Sequence, residues 1–309
     1  MPLSNFRAIH LPALIVAGLI SGCAVSEGDR PAASFPTTFS FYAMGDTAYD
    51  GLASYGQYSS LVDEINQAAP PFTIHIGDTG GSTACDVDYH DGVKAFFDTF
   101  EQPLIYTPGD NEWTDCAGVA FERLHQLRQV FFSTAYSQGK NPMPLQQQPP
   151  LKGEIGLPEN ATWVYGGVHF ATVHVTGSNN HWTDALGQPG MPWAARNQAN
   201  RIWIQHIIDK AISDNAPAVV LALHAELFIW EPNNGFNQII DTLEAEAVKF
   251  GKPILLIDGD IHDYILHRPF KAQNIVQLRP GGWPCITATR VTVDVNASGV
   301  FSAPEPECK

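Results

Sequence analysis

The chain has little positive charge. Its 309 residues carry 17 lysines and arginines against 32 acidic residues, a formal net charge of -15. A field of that sign repels phosphates, which excludes broad electrostatic capture of nucleic acid or of an anionic membrane. A phosphate-bearing substrate would have to meet local positive charge, and bound metal ions are the obvious source. Long apolar runs are equally scarce: beyond Leu11 to Ile20, no stretch approaches the ~20 unbroken apolar residues of a spanning helix. Only five cysteines occur, and none is spaced as the close pair of a cysteine zinc site. There is no internal repeat beyond an alternation of strand and helix patterns, and no low-complexity tract.

What is present starts with an export signal. Arg7 supplies a positive flank, Leu11 to Ile20 the apolar stretch, and Ile20-Ser21-Gly22-Cys23 an ending that resembles a bacterial lipobox. Residues 1–22 are read as a lipoprotein-type signal, with an ordinary cleaved signal as the alternative. Residues 23–38, rich in serine, proline and alanine, read as a flexible tether, and residues 39–309 as one folded domain. The expected location is the bacterial periplasm or outer membrane, with the membrane touched only through a lipid on Cys23. The four remaining cysteines are an even number in an exported chain, and Cys85–Cys116 and Cys285–Cys308 are the pairs expected.

With 44% hydrophobic residues the chain can bury a sizeable core. Apolar strands at Phe39 to Asp46, Phe72 to Asp78 and Leu104 to Pro108 alternate with amphipathic helices near 58–68, 92–100 and 121–132. That spacing predicts an α/β fold with a parallel sheet covered on its faces. The proline- and glutamine-rich stretch 141–158 should be a surface excursion, and 162–175 a hairpin around Gly166-Gly167. A long helix over 193–214, a strand at 218–223, a helix near 236–250, a strand at 253–257 and closing strands at 276–278 and 290–295 complete the pattern.

Five of the strand ends carry chemistry. FYAMGD ends at Asp46, TIHIGD at Asp78, IYTPGD at Asp110 followed by Asn111 and Glu112, VVLALH at His224, and LLIDGD at Asp260 followed by Ile261 and His262. One Gly-Asp after a strand is an ordinary turn. Five such ends in order are how an open α/β sheet delivers metal-type ligands to one rim.

The series resembles the calcineurin-like metallophosphoesterases, which include purple acid phosphatases. The matching blocks are Gly45-Asp46-Thr47, Gly77-Asp78-Thr79-Gly80, Gly109-Asp110-Asn111-Glu112, His224 and Gly259-Asp260-Ile261-His262. The resemblance implies a four-layer αββα sandwich with two mixed central sheets and a two-metal centre. Asp46 and His262 would hold the first ion, Asp78 would bridge, and the third block, His224 and Asp260 would hold the second. The implied activity is hydrolysis of a small phosphate ester by an attacking hydroxide between the ions.

Three positions depart from the family pattern. Ala48 stands where a histidine ligand is usual, with Tyr49 beside it. In the third block, either Asp110 is the ligand and Asn111 the catalytic group, or Asn111 is the ligand and Glu112 the catalytic group. Asp260 replaces a histidine, which makes that site harder and shifts preference from zinc toward manganese, magnesium or calcium; a manganese or mixed iron-containing pair is expected. The missing imidazoles leave a rival: a metal- or ligand-binding lipoprotein on the same scaffold with little turnover.

Other residues carry weaker signals. His75, inside a strand, reads as a core group. Asn179 and Asn180, in a polar loop after the hairpin, are candidate substrate contacts, with a plain solvent loop as the alternative. Trp113 is read as packing, Arg268 as a surface salt bridge, and Asn160-Ala161-Thr162 matches a glycosylation acceptor.

Overall fold

The computed structural model describes residues 36–49, 55–82, 85–116, 119–182, 191–229 and 235–308. The expected signal, Cys23 and nearly all of the tether lie outside these residues.

Three short apolar segments form strands β1 (Thr38–Met44), β2 (Thr73–His75) and β3 (Leu104–Tyr106), paired in parallel. Met44 lies opposite His75 and His75 opposite Tyr106, so the three strands end in step. Helices α1 (Tyr55–Ala68), α2 (Val87–Phe97) and α3 (Ala120–Phe131) lie against one face of this sheet. Their buried residues recur at helical spacing: Tyr58, Leu61, Val62 and Ile65; Val93, Phe96 and Phe97; Leu124, Leu127 and Phe131. Asp86 caps α2 by accepting a hydrogen bond from the Tyr89 amide at 2.8 Å. Gly92, inside α2, costs that helix about 0.5–1 kcal/mol relative to alanine. Packing does not require it, because a Cβ added there would meet nothing within 4 Å.

The second sheet holds β4 (Gln146–Gln147), β5 (Ala161–Tyr165), β6 (Val168–Thr172), β7 (Val219–Ala222), β8 (Ile254–Ile257), β9 (Tyr264–His267) and β10 (Ile275–Pro280). Their spatial order is β4-β5-β6-β7-β8-β10-β9. The strands from β6 through β7 and β8 to β10 run parallel, with Ala222 opposite Ile257 and Ile257 opposite Leu278. Between β6 and β7 lie the short turn α4 (Gly177–Asn180) and helix α5 (Met191–Ser213); α6 (Asn237–Phe250) connects β7 to β8. Trp203 and Ile207 of α5 and Leu243 and Phe250 of α6 join one apolar cluster with Leu221 and Leu256.

Where the two sheets face each other, Phe41 stacks on Phe72 and Phe170 meets both edge-on, with centroids 5.1–5.5 Å apart. Ile74, Val220 and Leu255 fill the space around them. Each such side chain contributes about 1.5–3 kcal/mol on burial. The layers run helices, sheet, sheet, helices, the expected αββα sandwich.

The strand and helix alternation points to parallel pairing, yet both sheets are mixed. Strand β11 (Thr289–Asp294) pairs antiparallel with β1, Phe41 opposite Val291, and carries β12 (Phe301–Ser302) on its other side. The 141–158 excursion supplies the edge strand β4, and residues after the last block, given no strand in the sequence reading, form β9. Disulfides join Cys85 to Cys116 and Cys285 to Cys308, as expected. Among the described residues no helix is long and apolar enough to cross a membrane.

Candidate metal centre

Beyond the aligned strand ends the chain turns sharply. Asp46, Asp78 and Asp260 take left-handed backbone angles, φ 50°, 53° and 74°. Aspartate tolerates this region better than most residues, though at a cost of order 1–3 kcal/mol each. These turns aim the carboxylates into a common space at the rim. Backbone bonds fix the approach: the Asp46 amide donates to the Gly77 carbonyl at 3.0 Å, and the Gly259 amide to that of His224 at 2.7 Å. The Asp260 amide donates to Asp46 Oδ1 at 3.0 Å, tying the first and last blocks across the two sheets.

Two sets of donor atoms result, Asp46–Asp78–His224 and Asp110–His224–Asp260, each set lying within 4.8 Å. His224 Nε2 stands 3.4 Å from Asp78 Oδ1, 3.2 Å from Asp110 Oδ1 and 3.9 Å from Asp260 Oδ1. Its other nitrogen, Nδ1, lies 2.8 Å from the Ile76 carbonyl. A carbonyl only accepts, so Nδ1 carries a proton and Nε2 is the nitrogen aimed at the carboxylates. Four carboxylates around one imidazole leave an excess of negative charge that a cation would offset.

Two atoms make the same point. His224 Nε2 and Asp46 Oδ2 are buried with no hydrogen-bond partner. Burial pushes Asp46 up to about 7 and Asp260 up to about 6, with neighbouring carboxylates adding to both. Asp110 moves the other way: burial opposes ionisation, but His224 close beside it outweighs that and holds Asp110 at about 2. His224 is itself raised, because Asp78, Asp110 and Asp46 outweigh its burial. A hard anionic donor set with orphaned lone pairs fits divalent cations.

Gly177 closes the far side of the centre; a Cβ there would collide with Asp110 Oδ2 and Asp260 Oδ1. Three further groups sit against Asp78. Asn111 donates through its backbone to Asp78 Oδ1 at 3.2 Å and through Nδ2 to Oδ2 at 2.7 Å. The Tyr49 hydroxyl also donates to Asp78 Oδ2, and lies 3.2 Å from Asn111 Nδ2 and 3.3 Å from His262 Nε2. His262 is 33% exposed and stands 3.9 Å from Asp46 Oδ1, at the open side. The sequence reading noted Tyr49 as a departure but did not bring it into the site. Its signal was position, three residues beyond Asp46 on the same turn.

The third block separates into distinct parts. Asp110 faces His224, and Asn111 braces Asp78. Glu112 does not join the converging groups: buried, it accepts from the Thr79 amide at 2.7 Å and the Gly109 amide at 2.9 Å. It fastens the second block to the third. The Cys85–Cys116 disulfide spans the same two loops.

Asn179 and Asn180 are committed to the protein. Asn179 Oδ1 accepts from the Gly235 amide at 2.8 Å, and Asn180 Nδ2 donates to the Gly235 carbonyl at 3.2 Å. Arg196 Nη2 donates to Asn180 Oδ1 at 2.9 Å. Ser178 through His181 all adopt left-handed angles, φ 46° to 55°, so α4 is a left-handed turn held from below. His75 is a core group whose Nδ1 accepts from the Gly77 amide at 3.2 Å; burial lowers it to about 3. Trp113 is packing, buried beneath Arg196. Arg268 donates to the Gln273 carbonyl. Asn160 is buried and bonded to Gln148 and Asn200, closed to a glycan.

No family model matches the chain, and no curated protein matches it in sequence. Its likeness is to solved structures. GAP50, the anchor in the inner membrane complex of Plasmodium, superposes with a TM-score of 0.54 at 9% identity, over 88% of this chain and 89% of that one. A dimetal phosphatase from Danio rerio superposes with a TM-score of 0.51 at 10% identity, over 87% of this chain and 98% of that one. The fold is shared. At such identity the likeness carries the architecture and leaves the chemistry to the side chains.

Proposed function

We propose that this chain is a metal-dependent phosphoric ester hydrolase of the calcineurin-like metallophosphoesterase type. The observation that carries the reading is the convergence of Asp46, Asp78, Asp110, Asp260 and His224, with two buried lone-pair atoms left without partners. One cation would be held by Asp46 and Asp78 with His262 at the open side, and a second by Asp110, Asp260 and His224, with Asp78 shared. Bound there, a pair of divalent ions would lower the pKa of a water and neutralise phosphoryl oxygens.

The chain's own residues have definable tasks. The Ile76 carbonyl keeps the Nδ1 proton on His224, so that Nε2 stays directed inward. Tyr49 and Asn111 each donate to Asp78 and hold its carboxylate in one orientation. Glu112 holds the loops that present Asp78 and Asp110. The Tyr49 hydroxyl, 3.3 Å from His262 Nε2, links the imidazole at the open side to Asp78. The pair of disulfides and the amino-terminal sequence support export, with Cys23 as the lipid attachment.

The engagement of Glu112 with backbone amides favours a second reading, metal binding without turnover, because it removes one proton donor offered by the sequence. Elemental analysis of protein purified without added metal, followed by assays with 4-nitrophenyl phosphate and bis(4-nitrophenyl) phosphate under manganese, iron, magnesium and zinc, separates the two. Cleavage of either ester with bound metal supports the hydrolase. A metal-loaded protein that cleaves neither ester belongs to the second reading, and a protein that binds no metal sinks both.

A further inference from the structure

Strand β10 carries two buried polar side chains, Gln277 and Arg279, which stand two residues apart and therefore on one face of the sheet. Arg279 divides its guanidinium among three carboxylates. Its Nη2 pairs with Glu226, Nη1 donates to Asp263, and Nε lies 3.5 Å from Asp258 Oδ1. Gln277 supports two of the same groups, with Nε2 donating to Asp258 Oδ2 and, at 3.3 Å, to Glu226 Oε2. Among the described residues no other lysine or arginine pairs with these three acids.

Each of the three acids adjoins a candidate ligand. Glu226 stands two residues beyond His224, Asp258 two residues before Asp260, and Asp263 directly after His262. One side chain thus grips the loop of His224 and both ends of the loop that presents Asp260 and His262. The grip lies immediately behind the centre: a Cβ on Gly259, next to Asp258, would collide with Asp46 Oδ2. Three residues past Arg279, the Gly282 amide donates to the His262 carbonyl at 2.9 Å. Stability alone is a poor account of such a cluster, because desolvation offsets most of the attraction between buried charges. What a planar, forked guanidinium supplies is direction, several contacts at set angles from one rigid group.

We propose that Arg279 is a positioning residue of the metal centre, holding His224, Asp260 and His262 in the arrangement that receives cations. The inference rests on the metal-binding part of the reading given above and needs no turnover.

Charge and position predict opposite outcomes when Arg279 is replaced. The guanidinium brings positive charge to the rear of a cation site, so if its charge alone mattered, removing it would tighten metal binding. A positioning role predicts the reverse. Manganese is titrated into metal-free protein, after circular dichroism and cooperative unfolding have shown that each variant is folded. In Arg279→Gln the affinity should fall about 10- to 100-fold. Arg279→Lys keeps the charge and loses the fork, and its affinity should fall about tenfold. With its charge retained, Arg279→Lys carries the test if Arg279→Gln does not fold. Manganese bound by Arg279→Gln as tightly as by wild type or more tightly, or by Arg279→Lys with wild-type affinity, overturns the proposal and leaves the metal reading standing. A wild-type protein that takes up no divalent cation overturns both.

Discussion

Two of the buried charged clusters among the described residues are built on opposite logic. At Glu159 every charge has a partner: Arg128 donates to both carboxylate oxygens at 2.9 and 2.6 Å, and His174 Nδ1 adds a bond at 2.6 Å. Burial alone would raise Glu159, but His174 and Arg128 prevail and hold it at about 2. At the rim of the sheets four aspartates share one fully inward imidazole, and burial drives Asp46 up to about 7. In the first cluster the charges are matched as folded, although His174 Nε2 has no hydrogen-bond partner. The second is arranged for something the chain does not supply. Burial of charge is thus no sign of function by itself; burial of unmatched charge is.

Substitutions should divide along this line. Asp78→Asn gives the largest effect, turnover falling to background and metal content dropping. The metal-free unfolding free energy should stay within about 1 kcal/mol of wild type, because removing an unmatched charge relieves repulsion. Normal metal content and turnover in that variant would dissolve the proposed centre. Arg128→Met inverts the pattern: it strands Glu159 in the interior and should cost about 3–5 kcal/mol in denaturant unfolding. Metal affinity of the protein that remains folded should not change. A melting curve like that of wild type would show that the Glu159 cluster is not the matched one.

Acid separates the clusters more finely. Glu159 has a folded value of about 2 against an ordinary 4.5, so its contribution is whole above 4.5 and is lost as pH falls toward 2. At ~1.4 kcal/mol per pKa unit this is about 3 kcal/mol. His174, lowered by burial to about 4, also binds its proton more readily when unfolded, and adds to the loss between pH 6.5 and 4. In Glu159→Gln the stability profile below 4.5 should flatten; an unaltered slope would contradict the assignment. The smallest effect is expected from Tyr49→Phe, which removes one donor to Asp78 and should weaken metal binding about 10- to 100-fold. Titration with manganese checks it, and wild-type affinity would show that Asp78 is oriented without the phenol.

The same contrast explains what was legible in the sequence. The strand ends at Asp46, Asp78, Asp110, His224 and Asp260 were visible because glycine and acidic residues after an apolar run are a local pattern. The four-layer arrangement was legible through the resemblance of those blocks. Contacts made across distant segments were not. Glu112 follows Asn111 directly, yet its partners are Thr79 and Gly109, and no spacing rule reveals that its oxygens are occupied. Asn179 and Asn180 looked solvent-facing because polar residues after a hairpin usually are; a left-handed turn pinned by Arg196 and Gly235 draws them inward. The disulfides were countable, whereas Tyr49 needed three dimensions to find Asp78.

The placement of β11 bears on how the molecule comes together. Ser40 of β1 meets Thr292 of β11 across 252 positions of chain, and that late strand forms one entire flank of the strand leading to Asp46. The first ligand in order of synthesis is therefore among the last to be locked. Until residues near 290 pack, β1, which bears Phe39 and Phe41, has an open edge that invites mispairing between copies. Completion of the rim therefore depends on the end of the chain, and shortening it before Thr289 would disarm the centre from a distance while leaving every candidate ligand in place.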